Sequence, residues 1–519
     1  MKLFDLIKNI EIKETNINLT EEKNNFEICN ITRNSVNVKI NTAFICLTGT
    51  KTDGHKYIGE AVKNGAVLVI LEYKPEDFDE IIIKSDTPYI IVQNTRKTEA
   101  ELWMTWYGNP IKSKSESGDI KIIGITGTNG KTSVSYMIKQ ILEDAGYKTA
   151  LFGTIKYIIG DIEEESKLTT SDPDELAKLF SLARNAGVDY VVMEISSHSL
   201  ELDKVAGLGI IDVGIFTNLT QDHLDFHINM ENYKKAKAKL FRMCKTGILN
   251  ADDEAANDII NLSTSRNYTY GIKSKADFRV DNIKYLGVNG IEYDFIAVGR
   301  DDPGAPQIKA GVKSDNKTFK VSSPMAGGFY VYNTLAAASA GYILGIDGEI
   351  ISGALKKVKI RGRMEKLDTD TPYSIFIDYA HTPDALENVL KSIRSFSKGR
   401  IITLFGCGGD RDKTKRPLMG KIASENSDFC IITSDNSRNE EPINIIRDIV
   451  AGINLSDMRK QFTVIVDRKE AIEYAMKIAY LDDVILLAGK GHEDYINEKG
   501  SVRHFSETET VFEILKNKK

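Results

Sequence analysis

Residues 119–134 read Asp-Ile-Lys-Ile-Ile-Gly-Ile-Thr-Gly-Thr-Asn-Gly-Lys-Thr-Ser-Val. A short isoleucine-rich run stops at a glycine cluster. Lys131 and Thr132 then lead into a helical pattern with Val134, Met137, Ile138, Ile141 and Leu142 on one face. The order is strand, glycine loop, helix. Such a loop lets backbone N–H groups close around an anion, and the helix N-terminus adds partial positive charge. Lys131 would reach the outer phosphates and Thr132 would offer its hydroxyl to Mg²⁺. The usual phosphate-loop pattern has a glycine where Ile125 stands, so the strict pattern fails. A bare Gly-Lys-Thr can also be an ordinary turn. The flanking strand and helix favour the phosphate cradle.

Working outward, 519 residues are enough for about three domains. A hydrophobic fraction of 42% allows sizeable cores, and a net charge of −6 offers no basic surface for nucleic acid. The five cysteines form no Cys-x-x-Cys pair, which suggests reduced thiols in a cytoplasmic protein. The first ten residues carry charges through their apolar stretch, so no signal peptide is expected. Apolar runs such as Val67–Leu71 are too short to span a bilayer.

The expected fold is α/β in three domains, 1–110, 111–362 and 363–519. In the first, strand-like runs (Ala43–Leu47, Ala66–Leu71, Tyr89–Val92) alternate with a helical stretch ending near Asn64. Asp53-Gly54-His55 and Gly65-Ala66 read as turns. Polar, aperiodic residues 109–118 read as a linker. The second opens with the phosphate loop and carries strand-like runs at Tyr190–Met193 and Asp212–Phe216, so a central parallel sheet is expected. Asp161–Glu165 reads as a solvated loop. Residues 275–320, with Gly287, Gly290, Gly299, Pro303, Gly304 and Pro306, read as an inserted β segment. In the third, Ser374–Ile377, Ile401–Phe405, Cys430–Thr433 and Val484–Leu487 alternate with helical patterns, as in a doubly wound α/β domain.

Chemistry-bearing residues follow the strand candidates. Glu194-Ile195-Ser196-Ser197-His198 follows one, and Thr217 to His227 follows the next, so three of the seven histidines lie in two such loops. A carboxylate and an imidazole there can hold a divalent cation near a γ-phosphate. Asp222, His223, Asp225 and His227 alone also suggest a hydrolytic metal centre. The lysines of Tyr233–Phe241 read as a solvated helix face, and nothing local singles out Lys237. In the third domain Gly406–Asp412, Thr433–Arg438 and Gly489–Glu493 each follow a strand candidate. Arginine for a carboxylate and glutamate for an ammonium would make a pocket for a zwitterion.

Gly127–Thr132, Glu194–His198, Asn218 with Asp222–Asp225, Tyr332-Asn333, Gly362–Glu365, Asp378–His381, Gly406–Arg411 and Gly489–Glu493, in this order, resemble the motifs of the Mur ligases. The resemblance covers nearly the whole chain. It is closest to the MurE-type branch, the UDP-MurNAc-L-Ala-D-Glu:diamino acid ligases. It implies an acceptor domain, a central ATP domain and an amino-acid domain. By motif match, Gly127, Thr128, Asn129, Gly130, Lys131, Thr132, Asn333, Arg363, Asp378 and His381 would contact ATP. Thr132, Glu194, His223 and a Lys237 carbamylated by CO₂ would hold Mg²⁺, and Lys131, Lys237, His223 and Glu194 would be catalytic. Ser35, Thr169, Thr170, Ser196 and Lys204 would meet the UDP-muramoyl-dipeptide. Arg411, Asp435, Asn436, Arg438, Gly489 and Glu493 would meet the added diamino acid, meso-diaminopimelate rather than L-lysine because of Arg438. A monomer is expected.

Departures from the family pattern lie in the acceptor and amino-acid sites: Asn34-Ser35-Val36 for Asp-Ser-Arg, Leu202 and Lys204 for glutamine and arginine, and Ser437 for proline. They leave open a paralogue with an altered acceptor. Outside the family, a small-molecule kinase or a nucleotide-gated scaffold would use the phosphate loop but give the third domain's loops no role.

Overall fold

The computed structural model describes residues 1–49, 52–112, 118–298, 317–454 and 461–517. Part of the 109–118 linker, and Gly299, Pro303, Gly304 and Pro306 of the expected insert, lie outside them. Two compact units are formed. One comprises Met1–Gly124, Lys148–Asp212 and Met243–Lys245; the other comprises Ile125–Tyr147, Val213–Arg242 and Thr246–Lys519.

The first unit contains a five-stranded sheet ordered Ile12–Thr15, Tyr89–Val92, Ala66–Leu71, Thr42–Ile45, Asn30–Thr32. Only Ile12–Thr15 runs antiparallel to its neighbour. Period-two alternation divides the strand residues between two cores. Ala43, Ile45, Leu68, Ile70, Ile90 and Val92 enter one. Phe44, Cys46, Val69, Leu71 and Ile91 enter the other. Strands buried on both faces read as continuous apolar runs, which is why Ala66–Leu71 was legible. Asp53-Gly54-His55 is a turn whose glycine begins a short 3₁₀ helix, Gly54–Tyr57, capped by Asp53.

In the same unit Tyr190–Glu194 runs parallel to Thr149–Phe152, followed by antiparallel Lys156–Ile159 and Ile162–Glu165. The expectation of a loop at Asp161–Glu165 is therefore corrected: Ile162–Glu165 is a strand. All four of its residues are exposed, so the backbone ladder to Lys156–Ile159 holds it without burying a carboxylate, and Lys156 pairs with Glu163 at 2.5 Å.

In the second unit, Lys131–Asp144 is a helix directly after the glycine loop, and Val134, Met137, Ile138, Ile141 and Leu142 are all buried as their spacing predicts. The helix Gly328–Ile343 packs on it. Small residues (Ala336, Ala337, Ala338, Ala340, Gly341) allow close approach, and a Cβ on Gly341 would come within 3.1 Å of Ile141. The insert is an edge extension of the sheet. Phe278–Tyr285, Ile291–Ala297 and Lys317–Ser323 are antiparallel neighbours, and Phe278–Tyr285 pairs parallel with Arg266–Gly271.

A further sheet of the second unit is ordered Glu365–Lys366, Ser374–Asp378, Val484–Ala488, Ile401–Phe405, Phe429–Ile432, Gln461–Val464. All its pairs are parallel except the first. Asp378 and Phe405 both stand opposite Ala488, and Phe405 stands opposite Ile432. Four strands thus end level, and the loops after them leave from one edge, where open α/β sheets bind ligands. Gln461–Val464 and the hairpin Tyr495–Glu498/Ser501–His504 were not expected; they are short and mostly exposed. Among the described residues no helix is long and apolar enough to cross a membrane.

Arg468, wholly buried, holds that edge from behind. Its guanidinium donates to the carbonyls of Ser434 (3.1 Å) and Ala488 (2.8 Å) and pairs with buried Glu507 at 2.8 Å. Arg468→Ala should cost about 3–5 kcal/mol, since it strands a buried carboxyl and two carbonyls. Urea unfolding checks this; a loss below about 1 kcal/mol would mean that the strand ends are held without Arg468.

Candidate functional site: a phosphate loop and a charged pocket

Gly127 and Gly130 have φ of +147° and +87°, backbone that favours glycine. A Cβ on Gly127 would collide with Thr217 Oγ1, and one on Gly130 would lie 2.6 Å from Asn333 Oδ1. The loop is held by its neighbour: Asn129 N donates to Asn218 Oδ1 (2.9 Å), and Asn218 Nδ2 and Thr217 Oγ1 donate to Asn129 O (3.1 and 2.6 Å). Asn129 Nδ2 donates to Asp384, a partner the sequence did not suggest. Lys131 Nζ lies over the loop, donating to the carbonyls of Gly127 and Thr128 at 3.0 and 2.8 Å. Arg363 donates to Thr132 Oγ1 (3.2 Å), with its guanidinium 4.6 Å from the centre of the Tyr379 ring. Its Nε is buried with no hydrogen-bond partner. Asn333, Arg363, Lys131 and Thr132 therefore converge on the loop. The Asp378 carboxylate accepts from Met364 N and Ala380 N, tying two backbone segments together.

Lys237 overturns the reading of a solvated lysine face. It is 1% exposed, and its Nζ stands 4.3 Å from the Tyr233 ring centre. Burial, reinforced by the like charge of Lys131 and opposed by Asp222 and Asp253, pushes its ammonium well below the usual lysine range. The signal was present in the sequence: Tyr233, Ala236, Lys237 and Leu240 share the spacing of an apolar stripe, and all four are buried. Lys235 keeps to the expectation and remains exposed.

His223 adopts φ +54° and lies 3.3 Å from Asp222. Burial opposes the charge on Asp222, but His223, His381 and Lys415 outweigh it and hold the carboxyl below its ordinary value. The hydrolytic metal centre suggested by Asp222, His223, Asp225 and His227 is not formed. His227 is buried and stacked on Tyr233, and among the described residues no three His, Cys, Asp or Glu side chains are grouped for a metal. A magnesium site built from the Thr132 hydroxyl and a carbamate on Lys237 is a different donor set. A buried neutral amine fits it, because the neutral form is the one that attacks CO₂.

In the first unit, Glu194 ends its strand fully buried, its carboxylate accepting from Thr154 N (2.9 Å) and Thr154 Oγ1 (3.0 Å). Thr154 Oγ1 also meets Thr169 Oγ1 at 3.1 Å. Thr170 Oγ1 donates to Glu194 O and accepts from Ser196 N. Glu194, Thr169, Thr170 and Ser196 thus form one cluster. The Ser196 hydroxyl caps the helix Ser197–Glu201. Lys204 pairs with Asp172 (2.6 Å), which also takes Arg33 (2.8 Å); neither Asp172 nor Arg33 was anticipated. Ser35 donates to Glu60 (2.6 Å).

The pocket of the second unit is built from the level strand ends. Gly409 N donates to Asn436 O (2.9 Å), and a Cβ on Gly409 would collide with Ser437 O, so these loops lie backbone to backbone. Arg438, at φ +52°, aims its guanidinium back at Gly409 O (2.7 Å) and Asn436 O (3.4 Å). Asn436 Nδ2 donates to Glu493 (2.8 Å). Lys490, fully buried and unremarked in the sequence, lies 3.6 Å from Asp435 and 3.5 Å from Glu493. Burial opposes ionisation of Asp435, but Lys490 and Arg468 outweigh it and hold the carboxyl low. Burial and the Asp435 charge push Glu493 up. Asp435, Asn436, Arg438, Gly489 and Glu493 are brought together. Arg411 is exposed at the rim, and Arg416 is the buried arginine, gripping Glu440 (2.7 Å) and Asp448 (2.8 Å).

Burial, with Arg363 and Arg361 nearby, lowers His492 to about 3. Between pH 6.5 and 3 the unfolded chain therefore binds the proton that the folded ring refuses. The contribution of His492 to stability is full above pH 6.5 and is lost as pH falls toward 3. Urea unfolding at pH 7, 5 and 4 should show a shallower acid loss in His492→Gln than in the wild type; parallel curves would assign the acid loss to other groups.

Three family profiles match in order: "Mur ligase family, catalytic domain" over residues 27–107, "Mur ligase middle domain" over 125–341, and "Mur ligase, glutamate ligase domain" over 362–491. A relative from Syntrophomonas wolfei, named UDP-N-acetylmuramoyl-L-alanyl-D-glutamate–2,6-diaminopimelate ligase, is 40% identical over 524 aligned positions covering 100% of both chains. A relative of the same name from Clostridium perfringens is 43% identical, covering 95% of this chain and 96% of its own. A solved structure of a ligase with that name superposes with a TM-score of 0.66 at 29% identity, covering 100% of this chain and 99% of that one. A MurF structure from Acinetobacter baumannii shares the fold, with a TM-score of 0.57 at 16% identity and coverage of 93% and 94%. The chain belongs to the Mur ligase family.

Proposed function

We propose that this enzyme is an ATP-dependent amide ligase that joins meso-diaminopimelate to the D-glutamate side chain of UDP-MurNAc-L-Ala-D-Glu. One observation carries the reading. The unit with the phosphate loop also holds a pocket in which the Arg438 guanidinium and the Asp435 and Glu493 carboxylates sit on neighbouring strand ends. A kinase acting on small molecules has no use for that second pocket. The names of the full-length relatives support the same reaction. The three profile matches support a division of labour in which 1–110 takes the UDP end of the acceptor, 111–362 takes ATP and 363–519 takes the amino acid. ATP and a UDP-linked acceptor place the reaction in the cytoplasm.

Lys131 and the loop N–H groups neutralise charge on the γ-phosphoryl group as it passes to the acceptor carboxylate, giving an acyl phosphate. Asn333, Arg363, Asp378 and His381 hold the nucleotide. Thr132, His223 and a carbamate on Lys237 would hold Mg²⁺, which supplies positive charge to the phosphates when bound. The Lys237 carbamate forms when its neutral amine attacks CO₂ and loses a proton. Thr169, Thr170, Ser196 and Lys204 contact the muramoyl-dipeptide, with Ser35 nearer its uridine end. Arg438 and Arg411 orient a carboxylate of the diamino acid and Glu493 takes an ammonium. The deprotonated amine then attacks, and the tetrahedral intermediate collapses with loss of phosphate.

Incubation with ATP and acceptor, with and without meso-diaminopimelate, tests the reading. ADP, phosphate and amide should appear only when all three substrates are present. A stable phosphorylated acceptor would indicate a kinase, and no turnover a binding protein.

Lys237→Ala should be nearly inactive and partly rescued by acetate, which restores an anion where the carbamate would sit; full activity in the alanine variant would remove Lys237 from the mechanism. Arg438→Ala should lose meso-diaminopimelate ligation about a hundredfold or more, on the order of 3 kcal/mol, since it leaves a carboxylate unpaired. A wild-type kcat/KM higher for L-lysine than for meso-diaminopimelate would overturn the choice of amino acid and leave the ligase reading standing.

A further inference from the structure

Just beyond Glu493 the chain enters the hairpin Tyr495–Glu498/Ser501–His504. The hairpin is fastened to the pocket by backbone. Arg438 N donates to Asn497 O (3.0 Å), Lys499 N donates to Arg438 O (2.6 Å), and Asn497 N donates to Asn436 Oδ1 (2.9 Å). At its start, Tyr495 O accepts from the buried Lys490 Nζ (2.7 Å), and the Tyr495 ring centre lies 5.6 Å from that same nitrogen. Lys490 in turn faces Asp435 and Glu493. The ring therefore stands over the cluster that the pocket is built around, and it is 37% exposed, so one face is open. Its phenol senses both ends of the pocket: burial and Glu493 push it up, Arg438 pulls it back, Asp435 raises it and Arg411 lowers it.

We propose that Tyr495 is the wall of the amino-acid pocket, its ring covering the methylene chain of the incoming diamino acid between the cationic and acidic ends. The proposal rests on the ligase reading above. The charged residues fix the two ends of such a substrate but leave its middle in water. Among the residues of the fastened hairpin, Tyr495 is the one whose ring reaches the cluster. An aromatic face gives the chain a dry surface at little cost in side-chain entropy.

Steady-state kinetics of the full-length protein with ATP, acceptor and meso-diaminopimelate tests this. Tyr495→Ala should raise KM for meso-diaminopimelate about tenfold, as expected when one or two methylenes lose their cover, and leave KM for ATP within about twofold. Tyr495→Phe and Tyr495→Leu, which keep apolar bulk, should stay within about threefold of wild type. Should the alanine variant unfold early, Tyr495→Ser is read in its place. An unchanged diaminopimelate KM, or an equal rise in both KM values, would overturn the wall while the ligase reading stands. A wild-type protein that ligates neither meso-diaminopimelate nor L-lysine overturns both.

Discussion

The second unit depends on close approaches that leave no room for a Cβ. Gly127 lies against Thr217, Gly130 against Asn333, Gly362 against the 491–492 peptide, and Gly409 against Ser437. At each place an alanine Cβ would collide with the backbone or side chain it faces. The strand-end loops can share carbonyls and amides because they approach this closely, and those shared groups point Lys131, Arg363 and Arg438. The positive φ of Gly127, Gly130 and Gly362 adds a second reason that no other residue fits.

Around those loops the protein buries charge, and it does so in two ways. Arg416, Arg468 and Lys490 are buried among carboxylates and carbonyls that match them. Such networks are costly to half-remove, so they hold geometry more than they add stability. Lys237 has a poorer match: it lies against the Tyr233 ring, and burial and Lys131 outweigh the pull of Asp222 and Asp253, so its ammonium is disfavoured. The matched cations hold the strand-end loops of the second unit in place.

The fold was legible where apolar periodicity is strong. The strands Ala66–Leu71, Lys121–Thr126, Tyr190–Glu194 and Ile401–Phe405, and the helix after the glycine loop, all stand where their patterns put them. Ile162–Glu165 and Gln461–Val464 were not legible, because exposed strands held by their ladders carry no apolar signature. Several motif residues follow strand ends, whereas Thr132, Lys237 and Asn333 lie on helices. Their partners were not legible. Asp172, Asp384, Arg416 and Lys490 are ordinary charged residues in sequence, and only the tertiary approach of distant loops gives them work. Lys237 was hidden differently: the four lysines of Tyr233–Phe241 read alike in sequence, whereas the helix turns one of these four, Lys237, inward.

Arg438 joins its backbone to Asn497 and Lys499, about sixty residues further along the chain. The strands Phe429–Ile432 and Ile401–Phe405, by contrast, pair within about thirty residues. During synthesis that pair can therefore form before the central strand Val484–Ala488, which joins both Ser374–Asp378 and Ile401–Phe405, has emerged, and Asn497 and Lys499 come later still. A ribosome must release residue 499 before Arg438 can be locked in its left-handed turn, and closing so long a loop is slow compared with pairing neighbours. A nascent chain at that stage has its phosphate loop in place and an amino-acid pocket still open on one side.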